Sequence, residues 1–403
     1  MPLSGIRVLD FTQVVAGPFG TQLLGDMGAE IIKVESPDGD RARTVGATPR
    51  GFSNSFFNVN RNKKSIVVNL KHPDGKKVIG GLLETVDVLV ENFKPGTLER
   101  LGFGYKELQA RFPELVYCSI SGFGQTGPRR NDVAFDQIIQ GYSGMMGVTG
   151  SPESGPMRVG GPVADLVGGI FASQGILLAL QERRKSKQGQ LVDVSMLDCM
   201  LPLLGFTAWE YLHSGKAPAR NGNAHPTLAP SGSFQASDGA FNISLTGEVI
   251  WQRFCKALGR ESWIEDPRFL GNAERFEHSG VLTALINERL QEKTRAEWTE
   301  YFREMEVPCG PIYDLEETFS DPQVAAREMT RVMTDLVEGD VQVIANPVRL
   351  SRTPARYDSP APALGAHTQE LLQELGYSKP DMLDLRESGA VDWSEPGPAV
   401  ASK

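Results

Sequence analysis

The sequence predicts an α/β protein built on a parallel sheet, and three observations carry the prediction. Short, continuous apolar runs separated by helical segments fill the first half of the chain, as expected of strands buried on both faces. At 403 residues the chain is long for one compact domain. Its composition also shifts between Ser214 and Gly239 to Gly, Pro, Ala, Asn and Ser, which reads as a linker into a smaller domain.

The elements follow in order. Ile6–Phe11 reads as a strand, and Gly17-Pro18 opens a helix through Leu24 that stops near Gly28. Strands are expected at Glu30–Val34 and Ser65–Val68, then a helix at Pro73–Leu83 with proline in its first turn. Asp87–Val90 and Leu115–Ile120 read as two further strands. A long helix is expected from Asp165 to about Lys185, then a strand at Leu191–Val194 and a helix from Met196. Beyond the linker the pattern is mostly helical, near Val249–Leu258 and Leu282–Met305. A hairpin signal at Glu338-Gly339-Asp340, a Pro-rich stretch and two short helices complete the chain, and Ser394 to Lys403 has the composition of a disordered tail.

Composition narrows the function. Hydrophobic residues make up 40% and charged residues 23%, an ordinary soluble balance that can bury a core without metals or disulfides. A net charge of −9 argues against a nucleic-acid partner, although Arg61-Asn62-Lys63-Lys64 could meet one small polyphosphate. Cys118, Cys199, Cys255 and Cys309 are too scattered for a zinc site or a disulfide framework, and the five histidines show no ligand spacing, so no metal is expected. No signal-peptide pattern opens the chain and no run reads as a membrane span, so no membrane partner is expected. The default setting is a reducing cytoplasm or organelle matrix.

Two motifs invite chemistry. Gly122-Phe-Gly124-Gln-Thr-Gly127 follows a strand and fits a dinucleotide fingerprint, but Pro128-Arg129-Arg130-Asn131-Asp132 after it is loop chemistry, so the phosphate-binding helix is missing. An irregular, ligand-facing loop is the better reading. Asp165, after Gly160-Gly161-Pro162 and at the head of the long helix, reads either as a plain N-cap or as a carboxylate kept ionised by the helix terminus and able to attack a thioester. Spacing alone does not choose between them.

Several segments together resemble the family III CoA-transferases. They are Val8–Pro18, Gly25–Glu35, Asn60–Ile66, Val90–Gly96, Gly161–Asp165, Val307–Pro311 and Leu364–Thr368, and the likeness covers nearly the whole chain. The resemblance implies a Rossmann-like large domain made from both chain ends (1–213 and 326–403), a linker at 214–239, and a smaller α+β domain inserted at 240–325. It implies an interlocked homodimer, and coenzyme A as substrate with no further cofactor. It places Asp165 as the nucleophile. Val15, Ala16, Asn69, Leu70, Lys71, Asn92, Phe93, Lys94 and Arg100 fall where relatives contact CoA, and Gln13 and His225 are expected near the acceptor acid.

Departures from the family pattern sort the rival activities. Racemases of this fold carry Gly-His-Asp where this chain has Arg130-Asn131-Asp132, and a neutral asparagine cannot act as general base. Formyl-CoA transferases carry glutamine where this chain has Val15, which weakens oxalate as acceptor. The run Tyr117–Pro128 and the loop at His225 look closest to the succinyl-CoA:dicarboxylate members, so a small dicarboxylic acid is the expected acceptor. A CoA-binding protein without catalysis is the remaining alternative.

Overall fold

The computed structural model describes residues 1–46, 53–335 and 339–393. Two compact units divide the chain: Met1–Met145, Arg158–Leu212 and Ala326–Lys403 form the larger, Met146–Met157 and His213–Ala325 the smaller.

Six parallel strands run through the larger unit: β1 (Arg7–Asp10), β2 (Glu30–Glu35), β3 (Lys63–Val68), β4 (Val88–Glu91), β5 (Val116–Ser121) and β6 (Leu191–Ser195). A short edge strand, β7 (Val391–Asp392), pairs antiparallel with β3. The order β7-β3-β2-β1-β4-β5-β6 is the doubly wound arrangement with one strand added at the edge. Successive side chains on a strand point to opposite faces, so Val8, Ile31, Val88 and Val116 feed one core while Leu9, Ile32, Leu89 and Tyr117 feed the other. That two-sided burial is why the strands read as unbroken apolar runs.

The helices of this unit include α1 (Ala16–Asp26), α2 (Pro73–Leu83), α3 (Thr97–Leu101), α4 (Tyr105–Arg111), α5 (Asp136–Tyr142), α6 (Val163–Ser186) and α7 (Met196–Met200), with two more near the C-terminus. Helix α2 begins where Pro73 predicts, with His72 Nδ1 accepting from the Asp74 amide. Helices α1 and α6 cross at two glycines. A Cβ on Gly20 would lie 2.7 Å from the Gly169 carbonyl oxygen, and one on Gly169 would lie 2.5 Å from that of Ala16. The backbones therefore touch, and glycine is required on both sides.

Four expectations change. Helix α6 is long and apolar enough to cross a membrane by length and composition, contrary to the reading that no run was. It serves as a core helix on one face of the sheet, where Ala164, Ala172, Ile176 and Ala179 are buried. Asp165 is the third residue of α6, not its cap; Pro162 holds the cap position and offers no side-chain acceptor. In the smaller unit, Leu282–Met305 is two helices, Ser279–Leu290 and Arg295–Glu304, because Thr294 and Glu297 form a capping box that starts the second. Ser231–Ala236, inside the expected linker, is a strand of a three-stranded antiparallel sheet with Gly239–Ser244 and Cys309–Pro311; its Phe234 and Ala236 are buried in that unit's core.

Strands Thr330–Asp335 and Gly339–Ile344 form the expected hairpin, although Glu338 lies outside the described residues. So does the tail from Ser394. Residues 122–131 form no helix, as the Pro128–Asp132 run predicted.

Candidate active site

In a doubly wound sheet the strand order reverses between β1 and β4, and a crevice opens beyond their carboxyl ends. A cavity of about 500 Å³ lies there. Its walls come from Gln13–Ala16 after β1, Asn92–Pro95 after β4 and Ser121–Phe123 after β5, with Arg130, Asp132–Phe135, Arg41, Thr97, Met196 and Asp165 completing them.

The turn after β1 is held at almost every polar backbone group. Phe11 N donates to Val90 O, and Thr12 N to Asp10 Oδ1. The Asn92 side chain clamps Gln13 from both sides, accepting from its amide and donating to its carbonyl, each at 2.8 Å. Val14 N donates to Asp40 Oδ1 at 3.0 Å. Val14 sits at φ +68°, a left-handed conformation that strains a β-branched residue and persists only where surroundings over-determine it.

Beneath the turn lies a buried charge network. Lys33 Nζ donates to Thr12 O and to Asp40 Oδ2, both at 2.8 Å. Lys63 Nζ meets Asp10, Thr21, Asn60 and the Pro18 carbonyl. Burial would raise the Asp10 carboxyl, but Lys63 and Lys33 outweigh it and hold it below its ordinary value. The Asn60–Lys64 cluster therefore contributes Lys63 to this network. Arg61 pairs with Asp26, and Lys64 with Glu30 and Glu370.

Asp165 enters the cavity from the first turn of α6. Burial, then Asp136, push its carboxyl up to about 7. That shift runs against the expectation that the helix terminus keeps it ionised. A terminus contributes about 0.3–1 kcal/mol, less than removing a carboxylate from water. No hydrogen bond to the Asp165 carboxylate occurs among the described residues. The start of α6 is capped from outside instead: Asp136 Oδ1 accepts from Ala164 N at 2.8 Å. Gln140, fully buried on the next turn of α5, donates to Asp136 Oδ2 and accepts from Val159 N. This pair fixes the segment leading into Asp165.

Of the residues expected to contact substrate, Gln13, Val15, Ala16, Asn92, Phe93, Lys94 and Asp165 come together in the cavity wall. Asn69, Leu70, Lys71 and Arg100 do not line it. Asn69 and Lys71 close the turn after β3, Leu70 packs against the core, and Arg100 donates to Thr97, itself in the wall. His225 belongs to the smaller unit, where its Nδ1 accepts from Thr227 N and Leu228 N. Residue type alone had not marked Arg41, Phe135, Asp136 and Gln140. The one available signal was at Arg130 and Asp132, which flank the asparagine that replaces the racemase histidine. Among the described residues no group of three or more His, Cys, Asp or Glu side chains is placed to hold a metal.

A family model described as CoA-transferase family III matches residues 3–368. A succinate–glutarate CoA-transferase from Agrobacterium fabrum is 38% identical, over 93% of this chain and 96% of that protein. An acetyl-CoA:oxalate CoA-transferase from Acetobacter aceti is 41% identical over 91% and 92%. Among solved structures, a CAIB/BAIF family protein from Brucella suis superposes with a TM-score of 0.84 at 36% identity, covering 93% of this chain and 99% of that one.

Proposed function

The chain belongs to CoA-transferase family III, and on that premise we propose that it moves CoA from an acyl-CoA donor to a small dicarboxylic acid, with Asp165 as the nucleophile. The observation that carries this reading is the Asp165 carboxylate itself. It is desolvated, free of hydrogen bonds among the described residues, and open to a cavity at the switch point of the sheet. A half-buried carboxylate raised to about 7, and so ionised in a good fraction of molecules near neutrality, is a competent nucleophile.

In the proposed sequence an Asp165 oxygen attacks the donor thioester carbonyl, and the C–S bond breaks to give a mixed anhydride and CoA thiolate. The thiolate attacks the aspartyl carbonyl of the anhydride, giving an aspartyl-CoA thioester and releasing the donor acid. The acceptor carboxylate then attacks that thioester, forming a second anhydride and freeing the thiolate again. Thiolate attack on the acceptor's acyl carbon yields the new acyl-CoA and restores Asp165. One thioester is exchanged for another, so the steps balance without an energy source.

The polyanionic substrates suit the wall, where the exposed side chains of Arg41, Lys94 and Arg130 offer cationic partners. The acids named for the two relatives, succinate and glutarate for one and oxalate for the other, are all dicarboxylic acids. That supports the class, and it keeps oxalate in the test panel despite Val15. Racemisation fits less well, since the position expected to hold its histidine is Asn131.

We further place the protein as a homodimer in a reducing compartment. Exposed Phe171, Leu178, Phe206 and Trp209 along α6 and the helix Gly205–Ser214 support a partner surface, and four unpaired cysteines support the compartment.

The test is a transfer assay read by mass spectrometry, pairing succinyl-CoA and acetyl-CoA with mono- and dicarboxylic acids of two to six carbons. A new acyl-CoA from dicarboxylates, lost in Asp165→Ala, is expected. Transfer confined to monocarboxylates, or undiminished in the variant, would overturn the reading.

A further inference from the structure

One buried carboxyl beside the cavity takes no part in these steps. Glu91 ends β4, immediately before the wall residues Asn92, Phe93 and Lys94, and it is 5% exposed. Its Oε2 accepts from Phe93 N at 2.8 Å. Its Oε1 accepts from Ser119 Oγ on β5. Ser119 Oγ in turn accepts from Gln125 Nε2 at 2.7 Å, and Gln125 lies inside the glycine-rich run Gly122–Gly127, which found no dinucleotide role. The Gln125 amide is anchored on Asp193 of β6, and the Gly124 amide on Ser121 Oγ.

The donors all point one way: Gln125 to Ser119, Ser119 to Glu91, and Phe93 to Glu91. An ionised Glu91 accepts both of its donors and satisfies the chain. A protonated Glu91 keeps only one carbonyl acceptor and carries an O–H donor on its other oxygen, so it no longer accepts fully from both Ser119 and Phe93, and both bonds lose their charged acceptor.

Asp40 anchors the opposite wall through Val14 N with Lys33 as a buried counter-ion, whereas among the described residues no cation pairs with Glu91. The titratable groups facing it are Asp193 from β6 and, on β5, Tyr117 and Cys118. None supplies positive charge at neutral pH.

We propose that Glu91 is a positioning residue for CoA binding: its carboxylate fixes the Asn92–Lys94 wall against the glycine-rich loop, and protonating it loosens that wall and weakens CoA affinity. This rests on the reading of the cavity as the CoA site. Burial pushes the Glu91 carboxyl up to about 7, with Asp193 adding to it against the bonds from Ser119 and Phe93, so the change falls within the working range.

The experiment is calorimetric titration of free CoA, with no acyl donor, at pH 6, 7 and 8. Wild type, Glu91→Gln, and both in an Asp165→Asn background are compared. Glutamine keeps the shape and one acceptor and mimics the protonated state. Wild type should bind roughly three- to ten-fold more tightly at pH 8 than at pH 6 in excess of the Glu91→Gln slope, the difference between a charged and a neutral acceptor. Titration of the CoA phosphates is common to both proteins and cancels. The excess should survive in Asp165→Asn, which removes the cavity carboxyl that burial also pushes up to about 7. Gln125→Ala, at the far end of the chain of bonds, should weaken binding at pH 8 while leaving melting temperature within a degree or two. Equal slopes in wild type and Glu91→Gln would overturn the proposal while leaving the transferase reading intact; no CoA binding by wild type would overturn both.

Discussion

Replacing Asp165 with asparagine should stabilise the protein, and more so as the pH rises. The carboxyl rises from 3.8 to about 7 on folding, through burial first and Asp136 second. A raised acid favours the native state only while protonated: its contribution is whole below 3.8 and is lost as the pH climbs through about 7. At 1.36 kcal/mol per tenfold, the ionisable group costs the native state ~4 kcal/mol at pH 8 and ~2 kcal/mol at pH 5, relative to a neutral isostere. Asparagine has the same outline and forfeits no hydrogen bond, because the carboxylate accepts none among the described residues. Melting curves and urea titrations at the two pH values read the difference directly. A gain of roughly 4–8 °C at pH 8, about halved at pH 5, is expected. A variant no more stable than wild type at pH 8, or equally stabilised at both, would refute the view of Asp165 as a desolvated, unsatisfied acid.

Other perturbations separate the parts of the site. Asp136→Asn keeps an acceptor for Ala164 N but removes the charge facing Asp165, so the acidic limb of the pH–rate profile should move to lower pH. An unmoved limb would mean that Asp136 does not set the charge state. Gly169→Ala puts a methyl 2.5 Å from the Ala16 carbonyl oxygen and should cost about 1–3 kcal/mol in urea unfolding while lowering kcat, since α6 carries Asp165. Lys33→Met strands Asp40 without its cation and should destabilise by about 3–5 kcal/mol; a loss under 1 kcal/mol would show that the pair is dispensable.

Much of the fold was legible because its strands are buried on both faces. Val88-Leu89-Val90 reads as apolar throughout since Leu89 serves one core and its neighbours the other. Pro73 marked its helix by the chemistry of a first turn. The site was legible only in its chain-local parts. Gln13–Ala16 and Asn92–Lys94 each follow a strand end, and they meet because β1 and β4 are neighbours on which the order reverses. Asp136 and Gln140 left no local mark. Their bonds, to Ala164 in the first turn of α6 and to Val159 in the loop before it, exist only after α5 packs there, 28 and 19 residues away in sequence. The N-cap alternative for Asp165 falls away for the same reason: the acceptor that starts α6 comes from another helix. Its raised pKa follows from packing density and a neighbouring charge, which a string of residues does not state. The membrane-span reading failed at α6 because a helix buried in a large α/β core and one buried in lipid share the same composition.

The most direct test of the central claim is covalent trapping. The wild-type protein, turning over succinyl-CoA with a dicarboxylic acid, is quenched with hydroxylamine and its peptides are analysed by mass spectrometry. The account predicts a hydroxamate on Asp165, dependent on acyl-CoA and absent when acyl-CoA is withheld. Modification of another carboxylate, or none during measurable turnover, would contradict it.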